Sequence, residues 1–300
     1  MTTSRRITAL ATLGLLAMTA VWGSTFVLIK GVVARMPVAD FLAVRFAIAA
    51  LVMLALFARP VWQLGRQQAM RGLLLGVIYA TGQLLQTWGL SLIAPSVSGF
   101  ATGMYVVFTP ILAMLLLRQR MAGVVWLAVL LSTAGLALLS LNGVSVDLGV
   151  WLTLASAALY ALHIVGLGQW SRKGEAFGLS AVQMVVIAVV CLLATAPHGG
   201  PVLPPDRNAW FAVLYMALVA GAGAMLMQTW AQSYLPATRA AIVMTTEPVF
   251  AAAFAVALGS DELSWRMLLG GGLILAAMYL VELMPRRGDA VPAEAVHHEV

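Results

Sequence analysis

Long apolar stretches separated by short polar connections recur along almost the whole chain of 300 residues. Most stretches have close to the twenty residues that a helix needs to cross the hydrocarbon core of a membrane. The first follows Arg5 and Arg6 and is longer than the apolar core of a signal peptide, so we expect it to persist as a helix. The pattern predicts ten helices, at 7–29, 41–58, 72–93, 97–117, 122–141, 149–170, 179–196, 209–232, 239–258 and 265–284.

The composition supports an all-α integral membrane protein. Hydrophobic residues make up 62% of the chain and charged residues 9%, whereas soluble domains carry about 25% charged residues. The net charge of +6 is therefore no argument for nucleic-acid binding. The single cysteine, Cys191, excludes an intrachain disulfide and a multi-cysteine metal site. We predict no metal, no cofactor and no nucleic-acid partner, and the oligomeric state is not indicated.

The basic residues between the stretches are distributed unevenly. With the N-terminus in the cytoplasm, twelve of them fall on the inner side and three on the outer side. The positive-inside rule then places both termini in the cytoplasm, within the cell membrane. The inner residues are Arg5, Arg6, Arg59, Arg66, Arg71, Arg118, Arg120, Arg172, Lys173, Arg239, Arg286 and Arg287, and the outer residues are Arg35, Arg207 and Arg266.

A repeat is visible within the sequence. Gln86-Thr87-Trp88 recurs 142 residues later as Gln228-Thr229-Trp230. Each tripeptide is followed by a stretch containing a proline, Pro110 or Pro248, and then by a polar break. Five helices per repeat is an odd number, so the second repeat must be inverted in the membrane, as in many transporters. We predict repeats at 1–143 and 144–285, followed by a disordered cytoplasmic tail at 286–300.

Several short motifs resemble those of the drug/metabolite transporter superfamily, in its ten-span EamA-type branch. The polar breaks depart from the Gly-Glu-Arg-Leu that many members carry there, which weakens any role assigned to those ends. The breaks read Arg118-Gln119-Arg120-Met121 and Ser260-Asp261-Glu262-Leu263. The matching motifs are Trp22-Gly23-Ser24-Thr25-Phe26 with Lys30, Arg45-Phe46, Gly103-Met104-Tyr105-Val106-Val107-Phe108-Thr109-Pro110 and Glu247-Pro248-Val249-Phe250.

The resemblance implies two inverted five-helix repeats around a central cavity. It further implies a secondary transporter, working by alternating access, that exports a small metabolite, an amino acid or a drug-like molecule. Proton or counter-substrate coupling would fit this function. We expect helices one to four and six to nine to line the cavity, with helices five and ten at the periphery.

Glu247 is the acidic residue nearest the middle of a predicted membrane helix. Burying an ionised carboxylate there costs roughly 2.5–3.5 kcal/mol, so such a residue is a candidate functional site. Glu247 could bind a proton or a cationic substrate. Alternatively, it could hydrogen-bond backbone groups that Pro248 leaves free.

The other candidates each have a structural alternative. Lys30 and Arg45 are candidates for a gate or a charge partner of Glu247, or they extend towards the membrane surface. His163 is a candidate substrate or proton contact, or a packing residue. Pro110 and Pro248 are predicted helix breaks. Candidate cavity residues, which could instead belong to an interfacial aromatic belt, are Trp22, Gln83, Gln86, Tyr105, Tyr160 and Trp230, with Tyr79 beside them.

Two other functions were compared with transport. An intramembrane enzyme needs a nucleophile and a base in a suitable arrangement, or a metal cluster, and no such motif is present. A passive channel needs a ring of charge or a carbonyl filter, and neither is evident. We therefore predict a transporter rather than an enzyme.

Overall fold

The computed structural model describes residues 3–93, 95–118, 121–140, 148–257 and 264–282, and the regular elements in these ranges are helical. A 3-10 turn at Ala196–His198 and a π turn at Leu218–Gly223 complete them. The α-helices are α1 Thr3–Val33, α2 Val38–Trp62, α3 Arg66–Leu92, α4 Pro95–Gly103, α5 Tyr105–Leu117, α6 Gly123–Ser140, α7 Leu148–Trp170, α8 Ala176–Ala194, α9 Arg207–Ala217, α10 Ala224–Gln232, α11 Ala237–Met244, α12 Glu247–Ala257 and α13 Trp265–Glu282.

These helices lie over the predicted apolar stretches, and several extend beyond them. Pro37 and Pro236 precede α2 and α11 in an extended backbone conformation. Asp206 caps α9 by accepting a hydrogen bond from the Ala209 N–H at 2.9 Å. The predicted boundary at 143/144, the Ser260-Asp261-Glu262 break and the 286–300 tail lie outside the described residues.

Within the described ranges, five helices are long and apolar enough to cross a membrane, judged by length and composition. The structure therefore supports a helical membrane protein, while the full number of crossings stays a prediction. The five are Arg6–Val33, Val38–Trp62, Leu148–Trp170, Ala176–Ala194 and Arg207–Gln232.

Two of the predicted helices are each divided into two. The break between α4 and α5 lies at Met104, and the break between α11 and α12 lies at Thr245 and Thr246. The prediction that Pro110 marks a break is wrong, because Pro110 lies within α5, six residues after Met104. Pro248 is the second residue of α12, where a helix tolerates the missing N–H. Met104 and Thr246 are 142 residues apart, which is the offset of the tripeptide repeat.

The π turn joins α9 to α10 in one continuous helical segment. It contains Gly221 and Gly223. A π turn widens the helix, so that some backbone carbonyls lose their usual partners within the helix. In this protein those carbonyls are available to side chains from other helices.

Small residues allow several helix pairs to approach closely, as is usual for membrane helices. A Cβ atom on Gly89 of α3 would lie 2.3 Å from Thr153 Oγ1 and 2.7 Å from the Gly149 carbonyl oxygen of α7. A Cβ on Gly135 of α6 would lie 2.6 Å from the carbonyl oxygen of Gly270 on α13. Among the described helices, the α2–α8 pair and the α3–α7 pair pack against each other most extensively.

Gly89→Ala tests the close approach of α3 and α7. The added methyl group cannot fit without moving backbone, so we expect a loss of about 1–3 kcal/mol in stability. The measurement is thermal unfolding of the purified protein in detergent. Gly31→Ala is the matched control, because no described atom lies within 4 Å of its Cβ position. Equal melting temperatures for the two variants would contradict the close packing.

Candidate functional site

A cavity of about 700 Å³, counting the part open to solvent, lies between the helices. Among the described residues, α6, α8 and α13 contribute nothing to its lining, although the seventh predicted helix, now α8, was expected to do so. The lining consists of Trp22, Thr25, Ile29, Arg45, Tyr79, Gln83, Gln86, Thr87, Leu90, Thr102, Tyr105, Tyr160, His163, Ile164, Gln228, Met244 and Glu247.

A hydrogen-bonded chain of side chains crosses one wall of the cavity. Gln83 Nε2 donates to the Tyr160 hydroxyl at 2.7 Å, and that hydroxyl donates to Gln86 Oε1 at 2.7 Å. Gln86 Nε2 in turn donates to Thr102 Oγ1 at 3.1 Å. Gln83 also reaches the Tyr79 hydroxyl at 3.3 Å. The chain links α3, α7 and α4 and fixes the orientation of both glutamine amides.

His163 lines the cavity beside this chain and also contacts α8. Its Nε2 is 2.8 Å from Gln183 Oε1. Gln183 Nε2 donates to the Leu179 carbonyl at 3.2 Å, so Gln183 Oε1 acts as the acceptor for His163. His163 Nε2 therefore carries a proton, and the ring packs 4.9 Å from the ring of Tyr79. Gln183 on α8 thus orients a cavity residue without lining the cavity itself.

Arg45 and Trp22 bind backbone carbonyls at the π turn. Arg45 Nε donates to the carbonyl of Met216, just before the turn, at 3.1 Å. Trp22 Nε1 donates to the carbonyl of Ala220, within the turn, at 2.9 Å. The Arg45 guanidinium also lies 4.8 Å from the centre of the Phe46 ring. Both predicted residues thus reach the cavity, and both are held by a feature that the sequence did not predict.

Glu247 and Tyr105 occupy corresponding positions in the two divided helices. Each is the first residue after a break, at the start of α12 and α5 respectively. A helix N-terminus is a favourable location for a carboxylate. The described residues provide Glu247 with no hydrogen bond and no ion pair, and they leave the buried Tyr105 hydroxyl without a partner. Glu247 therefore does not satisfy backbone freed by Pro248.

Gln228 lines the cavity and was not predicted as a site residue. Its Nε2 donates to Gln232 Oε1 at 3.2 Å, and Gln232 Nε2 donates to the Ile164 carbonyl at 2.7 Å. Within the described structure its Oε1 is buried and has no donor. The repeated Gln-Thr-Trp tripeptide contained the signal for this residue, because its first copy supplied a predicted cavity glutamine, Gln86.

Eight of the lining residues form four pairs separated by the repeat offset of 142. The cavity is therefore built from corresponding positions in the two halves of the chain. The pairs are Trp22 with Ile164, Gln86 with Gln228, Thr102 with Met244, and Tyr105 with Glu247.

Two predicted residues lie outside the cavity. Trp230 packs 5.5 Å from the ring of Tyr234. It is two residues beyond Gln228, which on a helix turns it about 200° away from the cavity. Lys30 is exposed at the end of α1, one residue beyond the lining residue Ile29. Neither therefore contributes to the binding surface seen in this structure.

The described part of the chain contains no group of three or more His, Cys, Asp or Glu residues that could hold a metal ion.

Comparison with known proteins identifies the family. The model of the EamA-like transporter family matches residues 9–141 and 147–283. The chain belongs to this family. A protein of Archaeoglobus fulgidus named as an uncharacterized transporter is 30% identical over 278 residues, covering 91% of this chain and 86% of that protein. The EamA chain is therefore an integral membrane transporter protein with a small-molecule substrate.

A solved crystal structure has the same fold. It superposes with a TM-score of 0.76, covering 92% of this chain and 97% of the other, at 17% sequence identity. At this identity the likeness concerns the fold alone.

Trp22→Phe tests the hydrogen bond to the π turn. Phenylalanine keeps the ring but leaves the Ala220 carbonyl without its donor, so we expect a loss of about 1–3 kcal/mol in stability. The measurement is thermal unfolding in detergent. Trp151→Phe, at a position 59% exposed on the helix surface, is the control and should leave the melting temperature nearly unchanged. Equal effects of the two changes would show that the Trp22 indole N–H does not stabilise the π turn.

Proposed function

We propose that this protein is a secondary transporter that exports a small metabolite, an amino acid or a drug-like molecule by alternating access. The observation that carries the proposal is the cavity, whose corresponding residues come from both halves of the chain. Arg45 and Glu247, a basic and an acidic residue, both line it, and neither forms an ion pair with a described side chain. Buried ionisable residues of this kind mark substrate or ion pathways in membrane proteins.

The proposal includes ten membrane crossings in two inverted repeats. The family model matches the chain twice, once in each half, which supports the duplication. The helix packing supports the duplication as well. A shift of 142 residues relates α1 to α7 and α3 to α10, and α3 packs against α7 just as α10 packs against α1. The same shift relates α2 to α8 and α6 to α13, and the two helices of each of these pairs pack against each other.

Contacts between helix ends agree with the sidedness given by the basic residues. Arg35 and Asp206, both assigned to the outer side, form an ion pair. On the side assigned to the cytoplasm, Gln68 Nε2 donates to the Trp170 carbonyl at 2.5 Å. Each contact joins two helix ends that the proposed topology assigns to the same side of the membrane, while the cytoplasmic location of the termini rests on the distribution of basic residues.

One side of the molecule is closed by contacts between α7 and α10. Ser171 Oγ donates to the Thr229 carbonyl at 2.6 Å, and Gln232 Nε2 donates to the Ile164 carbonyl at 2.7 Å. Thr19 and Thr246 add a hydroxyl contact of 2.9 Å between α1 and the second helix break. The residues joined between α7 and α10 lie towards the proposed cytoplasmic side, and Thr19 and Thr246 lie nearer the middle of the membrane.

The corresponding residues of the first half are arranged differently. Subtracting 142 from the two closing pairs gives Ile29 with Thr87 and Leu90 with Trp22, and all four line the cavity. The second-half pairs are hydrogen-bonded, whereas Ile29 and Leu90 at the corresponding first-half positions have no side-chain donor. Apolar contact between the first-half pairs, together with separation of the second-half pairs, would close the outer side and open the cytoplasmic side, which is the alternation that transport requires.

Glu247 is the proposed site of coupling to a proton or to a counter-substrate. It lies at the cavity, at the N-terminus of α12, and has no partner among the described residues. A carboxylate in this position can bind either a proton or a cationic group of the substrate. Its charge state would then be linked to what occupies the cavity.

Transport by purified protein in proteoliposomes tests the proposed function directly. A panel of radiolabelled small metabolites should include a solute that the protein moves in a saturable manner. Glu247→Gln keeps the side-chain size and removes the charge, so transport of that solute should fall to near background while folding and yield are retained. Full transport by Glu247→Gln between pH 5 and pH 8 would exclude the ionic role. Absence of saturable transport across the panel would oppose a transporter of these solutes.

Two cysteine variants test alternating access. Ile29→Cys and Ser171→Cys occupy corresponding positions, and both would be made in a Cys191→Ala background. A membrane-impermeant thiol reagent added outside right-side-out vesicles should label Ile29→Cys but not Ser171→Cys. Added from the cytoplasmic side, it should label Ser171→Cys faster when the transported solute is present. Labelling of both positions from the same side would contradict the proposal.

A further inference from the structure

We propose that Gln228 is a specificity-determining residue that accepts a hydrogen bond from an N–H group of the substrate, and that with Glu247 it selects protonated amines. The inference rests on the proposed transport function and adds a substrate class to it. Its basis is the fixed orientation of one amide and the absence of a partner for its oxygen.

The orientation of Gln228 follows from a chain of donors and acceptors. A backbone carbonyl can only accept, so Gln232 must direct its Nε2 towards Ile164. Gln232 therefore presents its Oε1 to Gln228, and Gln228 must donate its own Nε2. The remaining polar atom of Gln228 is its Oε1, which can only accept.

This oxygen lacks a donor at the wall of the cavity. Gln228 is 2% exposed and its Oε1 is buried, with no hydrogen-bond partner in the described structure. A buried acceptor without a donor is costly. Because the oxygen has almost no accessible surface, a substrate N–H group would meet it after a small rotation of the Gln228 side chain into the cavity, and would then remove that cost. A substrate without a donor would leave the cost in place.

The corresponding glutamine in the first half has a different role. Gln86 Oε1 accepts from Tyr160 and its Nε2 donates to Thr102, so both polar atoms have protein partners. Of the two repeat-related glutamines, Gln228 is the one whose amide oxygen has no protein donor.

Glu247 supplies the second requirement. It lines the same cavity and has no ion-pair partner in the described part of the chain. A carboxylate selects for positive charge, and an amide oxygen selects for a hydrogen-bond donor. A protonated primary amine meets both requirements, while a quaternary ammonium ion meets only the first. Arg45, the cation of the same cavity, comes from the first half and would face another part of the substrate.

The test compares two probes of equal charge. The probes are 2-phenylethylamine and its N,N,N-trimethyl derivative, which have the same ring and the same positive charge but differ in N–H donors. Their dissociation constants for the purified protein in nanodiscs would be measured by calorimetry. The unaltered protein should bind the primary amine more tightly than the trimethyl compound.

The variants separate the two contributions. Gln228→Met should lower the preference for the primary amine about tenfold, because one charge-assisted hydrogen bond is lost, while binding of the trimethyl compound stays the same. Gln232→Met releases the Gln228 amide to rotate and should also lower the preference. Glu247→Gln should weaken binding of both probes. Gln67→Met, at an exposed position of α3 outside the cavity, is the control and should leave the ratio of the two dissociation constants unchanged.

The outcomes distinguish this inference from the proposed function. An unchanged ratio in Gln228→Met, or equal binding of both probes by the unaltered protein, would overturn the role of Gln228. Saturable transport of other solutes, without binding of either probe, would overturn the amine class and leave the transporter function standing. If Gln228→Met does not fold, Gln228→Asn shortens the same amide and should give the same fall in preference.

Discussion

Backbone groups inside a membrane must find hydrogen-bond partners within the protein, and the interior of this molecule is arranged around the places where a helix cannot provide them. At the π turn, carbonyls are bound by Arg45 and Trp22. At the second helix break, the hydroxyls of Thr245 and Thr246 bond to carbonyls of the preceding turn at 2.5 and 2.9 Å. Each irregularity thereby brings polar side chains to the centre of an otherwise apolar bundle, and the cavity forms beside them.

The proposed duplication would account for the pairing of residues at the cavity, and the differences between paired residues account for its chemistry. Corresponding positions carry Tyr105 in one half and Glu247 in the other, and the two glutamines differ in their hydrogen bonds. A strictly symmetric cavity would present the same groups on both walls. On one wall of the observed cavity, Gln83, Tyr160 and Gln86 are hydrogen-bonded to one another. On another wall, the amide oxygen of Gln228 has no donor among the described residues.

The fold tolerates wide change in sequence, as the 17% identity to a solved structure of the same fold indicates. Most of the helix surface needs only apolar character, and close helix contacts need only small residues such as Gly89 and Gly135. The side chains at the cavity carry more specific requirements, because each polar atom buried there must have a partner in the protein or in the substrate. Differences in substrate among related proteins are therefore expected at this small set of positions.

The sequence by itself determined the membrane class, the approximate helices, the 142-residue repeat and most of the cavity residues. These follow from local properties, namely the length of apolar stretches and the cost of burying polar residues within them. The tertiary structure decided what depends on neighbouring helices. The first helix break lies at Met104 rather than at Pro110, and a π turn joins α9 to α10. Trp230 points away from the cavity, whereas Gln228 lines it. The tertiary structure decided these features because hydrogen bonds between helices, such as Arg45 to Met216 and Gln232 to Ile164, join residues far apart in the chain.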